Sequence, residues 1–109
     1  QLDNQFIQRI RSVIEAHLSE SNFDVEGLCK ELKISRTNLH RKLKALTGTS
    51  ATEFIRKIRL QRAAQLAQKE TMTVSEIAYQ VGFESLSYFS KSFQEEFGML
   101  PSEYGRLVE

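Results

Sequence analysis

Apolar residues recur every three or four positions along the chain and do not alternate with polar ones, a pattern that predicts helices throughout and no strand. Phe6, Ile7, Ile10, Val13, Ile14 and Leu18 form one stripe and predict an amphipathic helix over about residues 4–20. The polar run "SESNF" interrupts it. Asp24 then stands where an N-cap is needed, ahead of Val25, Leu28, Cys29 and Leu32. Ser35 does the same for Leu39, Leu43 and Leu46, and Gly48 supplies a stop. Ser50 and Glu53 have capping-box spacing and open a long helix to about Gln68. Its apolar residues cover more than one face, so it is expected to pack on two neighbours. Thr73 and Glu76 repeat the capping box before Val74, Ile77, Ala78 and Val81, with Gly82 as the break. Ser85 or Glu84 caps the next helix, which carries Phe89, Phe93 and Phe97 on its inner side and stops at Gly98. Pro101 suits the first turn of a last short helix through Tyr104 and Leu107. The expected fold is all-α, with seven helices.

The pattern is also duplicated. Val25, Leu28, Cys29, Leu32 and Ile34 are matched 49 positions later by Val74, Ile77, Ala78, Val81 and Phe83. Past one inserted residue the offset becomes 50, and Leu39, Arg41, Leu43 and Gly48 are matched by Phe89, Lys91, Phe93 and Gly98. Glu53 and Phe54 extend the register to Glu103 and Tyr104. Each copy is a short helix, a tight turn and a longer helix, which is the outline of a helix-turn-helix. Two copies fall short of the ~3 that a solenoid needs. The expected organisation is two helix-turn-helix subdomains, residues 1–49 and 69–109, joined by a linker helix over 50–68. Such a helix spans about 25 Å and could hold two recognition helices roughly one DNA turn apart, ~34 Å. Cys29 and Ala78 are small residues at equivalent places, where close helix crossing is expected. Gly82 suits a turn that needs positive φ; Lys33 holds the matching place and predicts a less relaxed turn.

At 100° per residue, the second helix of each copy presents a polar side opposite its buried stripe. In the first copy Leu39, Leu43 and Leu46 face inward, Thr37, Arg41 and Lys44 face outward, and His40 flanks them. In the second, Phe89 and Phe93 face inward with Tyr88 and Phe97 beside them. Ser87, Lys91 and Gln94 face outward, and Ser90 flanks them. These residue types suit a major groove, where Arg and Lys donate to guanine and His, Gln, Ser and Thr meet base edges or phosphates.

Net charge is only +1, yet the charges are segregated. Residues 35–69 hold nine Lys/Arg against Glu53 alone, whereas residues 70–109 hold two against seven Asp/Glu. A merely solvated face usually mixes both signs, so the basic segment points to a polyanion. Arg36, Lys44, Arg56, Lys57 and Arg62 are the candidates for phosphate contact, which adds affinity without reading sequence. Arg59 either joins them or is tied into an interface between the units.

Other chemistry is poorly supported. No apolar run approaches the ~18 residues of a membrane span, and no leader pattern opens the chain. Cys29 is the sole cysteine, which excludes an internal disulfide and fits a small core residue in a reducing compartment, the cytoplasm. His17 and His40 lack metal-site spacing, no glycine-rich phosphate loop is present, and no nucleophile has a base at a meaningful interval. No enzyme activity, metal or cofactor is expected. The chain opens on Gln rather than Met, so a fragment of a longer protein is expected.

The stretches "SRTNLHRKLKALTGTS", "EFIRKIRLQRAAQL" and "VSEIAYQVGFESLSYFSKSFQEEFGMLPSEY" resemble the DNA-binding domain of the AraC/XylS family of bacterial transcription regulators over about residues 7–106. The last carries the family's signature order: IA, GF, a YF pair, FG, and a Pro one turn on. "SRTNLHRKLKALTG" is also similar to C-terminal output domains of two-component regulators in Bacteroidetes. The resemblance implies two helix-turn-helix subdomains on a long helix, with base contacts from Thr37, His40 and Arg41, and from Leu86, Ser87, Ser90 and Lys91. It implies double-stranded DNA and RNA polymerase as partners. It also implies an upstream receiver or ligand-binding region that carries dimerisation, the isolated domain being monomeric. Three features depart from the family pattern: "QEE" (Gln94, Glu95, Glu96) where basic residues are common, Glu84 near the start of that helix, and Lys33 for a common Gly. The second copy is therefore expected to be the weaker DNA reader. The alternative is a helical module that docks polymerase or another partner through its acidic C-terminal third, with little DNA binding of its own. A fused DNA-repair methyltransferase would need an activated cysteine, and the core-side place of Cys29 argues against it.

Overall fold

The computed structural model describes residues 2–69 and 71–106. Among the described residues the elements are seven helices and no strand: α1 Leu2–Ala16, α2 Val25–Leu32, α3 Arg36–Thr47, α4 Ala51–Lys69, α5 Val74–Gln80, α6 Leu86–Phe97 and α7 Pro101–Gly105. Leu107, expected to extend the last helix, lies outside the described residues.

The local signals at the ends of several helices are met atom by atom. Asp24 Oδ1 accepts from the Gly27 N–H at 3.1 Å, and the Ser35 and Ser85 hydroxyls accept from Asn38 and Tyr88 N–H at 3.1 Å each. At α5 both arms of the capping box close: Thr73 Oγ1 accepts from Glu76 N–H, and Glu76 Oε1 accepts from Thr73 N–H at 2.8 Å. At α4 the Ser50 hydroxyl accepts from Glu53 N–H at 3.1 Å, but the Glu53 carboxylate faces Arg56 at 3.9 Å. Gly48 and Gly98 end α3 and α6 in the same left-handed conformation, φ 78° and 77°, each returning its N–H to the carbonyl four residues back.

Two compact units result, and they interleave in sequence. One comprises residues 1–17 and 22–58; the other comprises 18–21 and 59–109. The division falls within α4. Its first half buries Ala51, Phe54, Ile55 and Ile58, and its second half buries Leu60, Ala63, Ala64 and Ala67. In the first unit Ile10, Ile14, Leu28, Leu39 and Leu43 are fully buried. Leu46 keeps the predicted direction yet stays 37% exposed. Periodicity fixes where a side chain points, not how far the wall of neighbours extends. Cys29 is only half-buried, not a fully enclosed core residue, whereas its counterpart Ala78 is fully enclosed.

The second unit is built on aromatic rings. Phe89 and Phe93 have no exposed surface and pack with Ile77, Ala78, Val81 and Phe83. Rings run from Phe83 to Phe89 (5.1 Å between centroids), Phe89 to Phe93 (5.9 Å) and Phe93 to Phe97 (4.5 Å). Tyr104 of α7 meets Phe93 edge-on at 5.5 Å. Tyr88, expected beside this core, is half-exposed, its ring 5.8 Å from that of Phe83. Ser92, a polar residue on the inner side of α6, is buried as well.

The helix predicted over residues 4–20 stops at Ala16, and residues 18–21 of the predicted stretch and its connector belong to the other unit. The Leu18 side chain packs on the aromatic core. Its carbonyl accepts from Arg59 Nη1 at 2.5 Å, and the Glu20 carbonyl accepts from Arg59 Nη2 at 3.0 Å. Arg59 Nη1 also donates to the Val81 carbonyl at 2.6 Å. With 6% of its surface exposed, Arg59 is an internal tie of the second unit and no surface cation. Burial pulls its guanidinium below the usual arginine range, and the Glu20 carboxylate pulls the other way.

Candidate nucleic-acid interface

The first unit gathers its predicted residues on one surface. Arg36, Thr37, His40 and Arg41 of α3 line an open groove of about 530 Å³ together with Val25 and with Ser50, Ala51 and Thr52 at the start of α4. Thr37 and Arg41 stand one turn apart on the side of α3 opposite the buried Leu39 and Leu43, and Arg36 and His40, also one turn apart, flank them. All four are exposed. The side-chain Oδ1 of Asn38 accepts from Arg41 Nη2 at 2.7 Å, which orients the guanidinium beside the groove. No acidic residue lies in α3.

The first turn of α4 in this groove was missed from sequence. Its signal was Ser50, which opens α4 in the sequence pattern and thereby places the positive end of the helix dipole at the groove. The phosphate candidates are spread more widely. Lys44 is exposed on α3, and Arg56 and Lys57 are half-buried on α4 within the same unit. Arg62 is exposed in the second unit, its Nη1 donating to Gln65 Oε1 at 2.9 Å.

The second unit offers a smaller and more acidic set. Leu86, Ser87 and Lys91 are exposed on α6, and Ser90 is half-buried. Gln94, Glu95 and Glu96 are exposed toward the end of the same helix. Glu84, just ahead of the cap, accepts from the Ser21 hydroxyl at 2.9 Å. Lys91 is the sole basic residue of α6, against four basic residues in α3.

Among the described residues, no group of three or more His, Cys, Asp or Glu is placed to hold a metal, and no helix is long and apolar enough to cross a membrane.

Comparison with known proteins places this geometry. Residues 28–106 match a family described as a helix-turn-helix domain. The chain is 44% identical over 103 residues to histidine kinase P4 of Formosa agariphila, covering 94% of this chain and 8% of that protein. It is 35% identical over 92 residues to the HTH-type transcriptional activator RhaR of Salmonella dublin, covering 84% of this chain and 33% of that one. The chain thus spans a third or less of the length of these relatives. Among solved structures, the C-terminal domain of AraT, a response regulator from Geobacillus stearothermophilus, superposes with a TM-score of 0.82 at 33% identity, over 93% of this chain and 84% of that one. The C-terminal domain of the two-component response regulator yesN from Fusobacterium nucleatum gives 0.81 at 27% identity, over 93% and 98%. A regulator from Chromobacterium violaceum described as AraC-type gives 0.82 at 28% identity, over 89% and 86%. What these relatives share with the chain is a DNA-binding module, not an enzyme. The chain belongs to the AraC/XylS family, as a helix-turn-helix DNA-binding domain of a transcription regulator.

Proposed function

We propose that α3 and α6 are two reading helices that enter successive major-groove segments of an asymmetric promoter site. The observation that carries this reading is the convergence of Arg36, Thr37, His40 and Arg41 on one groove beside the first turn of α4. In this reading Arg41 donates to guanine O6 and N7, and Thr37 and His40 meet neighbouring base edges. Leu86, Ser87, Ser90 and Lys91 form the second, weaker reader. Arg36, Lys44, Arg56, Lys57 and Arg62 neutralise backbone phosphates, with the amino end of α4 adding partial positive charge. Two unlike readers in one chain call for an unlike pair of half-sites, in contrast to the palindrome of a symmetric dimer.

The whole protein is proposed to be a bacterial cytoplasmic regulator that feeds an upstream signal to this domain and presents it to RNA polymerase. The response-regulator domains of AraT and yesN and the histidine kinase relative support a two-component input. Dimerisation is assigned to the upstream region, the isolated domain being a monomer. The competing reading, a docking module with little DNA affinity, draws on the exposed Glu95 and Glu96.

Footprinting and mobility shift on promoter fragments separate the two. The reading-helix model expects two protected segments about one helical turn apart and, for ~5 phosphates engaged, a log–log salt slope near −4. A flat slope, or no shift on any fragment of a promoter that the full protein activates, would sink it in favour of docking.

A further inference from the structure

Arg59 is the buried cation that the reading surface leaves unused, and its surroundings give it a task. Its Nη1 donates both to the Leu18 carbonyl and to the Val81 carbonyl, and its Nη2 donates to the Glu20 carbonyl. Val81 ends α5 and opens the turn that leads to α6. Leu18 and Glu20 belong to the connector that follows α1. Other groups of the connector face the same unit: the Leu18 side chain packs on its core, and the Ser21 hydroxyl donates to Glu84, the residue before the α6 cap. The turn has room for the guanidinium only because residue 82 is glycine. A Cβ there would overlap Arg59 Nη1 and the Leu18 oxygen, and would stand 2.7 Å from Cζ.

We propose that Arg59, with the connector at residues 18–21 as its counter-anchor, is a positioning residue for the second reading helix. It does not touch DNA. It fixes the carbonyl from which the α5–α6 turn departs, while Ser21 holds the Glu84 carboxylate at the head of α6. A planar fork suits this task, because a single guanidinium can serve acceptors on both the turn and the connector; a lysine ammonium is a point donor and cannot reproduce the fork. The inference rests on the reading of α6 as a DNA reader.

The test is a quantitative footprint of the same domain on a bound promoter, scoring each protected segment separately. In wild type both segments are expected; a single protected segment there would break the two-reader function itself, not this inference. Arg59→Met keeps apolar bulk and removes the donors. It should raise the midpoint of protection over the second segment about tenfold and leave the first segment within about twofold. Arg59→Lys should not restore the second segment. Unchanged protection of both segments by a helical Arg59→Met protein, or full rescue by lysine, overturns the proposal. So does equal weakening of both. Should the Met variant lose its helical circular dichroism, Ser21→Ala decides, since its bond is exposed and the fold does not hang on it. Selective weakening of the second segment supports the positioning role, and no change at either segment rejects it.

Discussion

The two helix-turn-helix copies differ least where the backbone is concerned and most where a ligand would be. In both, a serine caps the second helix of the copy and a left-handed glycine ends it. In both, the turn closes with the same long backbone bond, Ile34 N–H to Cys29 carbonyl at 3.2 Å and Phe83 N–H to Ala78 carbonyl at 2.8 Å. Lys33 and Gly82 even share positive φ, 57° and 90°. The outer faces share far less. α3 carries four basic residues and no acidic one, whereas α6 carries Lys91 against Glu95 and Glu96. The two copies share the devices that fold the unit and differ in the residues facing solvent.

The sharpest way to break the comparison is at the turns. Gly82→Ala should cost at least about 3 kcal/mol, because overpacking against Arg59 and the Leu18 carbonyl adds to the left-handed backbone penalty. Urea denaturation followed by circular dichroism measures it. A loss under about 1 kcal/mol would show that the turn opens easily, and the space argument would fail.

Next in size are the reading residues. Arg41→Ala should weaken specific binding by about 1–3 kcal/mol, and Lys91→Ala by less. Anisotropy titrations on specific and scrambled duplexes test the ranking, which a larger loss at Lys91 would reverse. Smaller still is the effect of the acidic pair. Replacing Glu95 and Glu96 by Gln should tighten binding about twofold each at low salt, and the gain should fade as salt rises. Tightening that persists at high salt would assign these residues a direct contact in place of a field effect.

How much of this could be read from the chain depended on range. Caps at Asp24, Ser35, Thr73 and Ser85 involve partners three residues away, so their spacing in the sequence already states the geometry. The inward phenylalanines follow from helical period alone. Arg59 was left between phosphate contact and interface because its acceptors lie 41, 39 and 22 residues off. Nothing local distinguishes it from Arg56 or Arg62. The early end of α1 was hidden for the same reason: Leu18 fits the stripe of the first helix, but its burial partners are in the second unit. The Ser50–Thr52 wall of the groove needed the packing of α4 beside α3, which periodicity does not supply.

A last prediction tests whether the first turn is a relaxed version of the second or a strained one. Lys33 is the single described residue other than glycine with positive φ, and its left-handed backbone costs an L-residue about 1 kcal/mol or more. Glycine removes that cost but loses more chain freedom on folding, about 0.5–1 kcal/mol. The two nearly cancel, so Lys33→Gly should shift stability by no more than about 1 kcal/mol, toward the folded state. Lys33 is exposed, so the gain should appear without any change in DNA affinity beyond the loss of one surface charge. A destabilisation by Lys33→Gly would mean that the lysine side chain itself braces the turn. The two copies would then stabilise one backbone shape by different means, the first through a surface side chain and the second through Arg59.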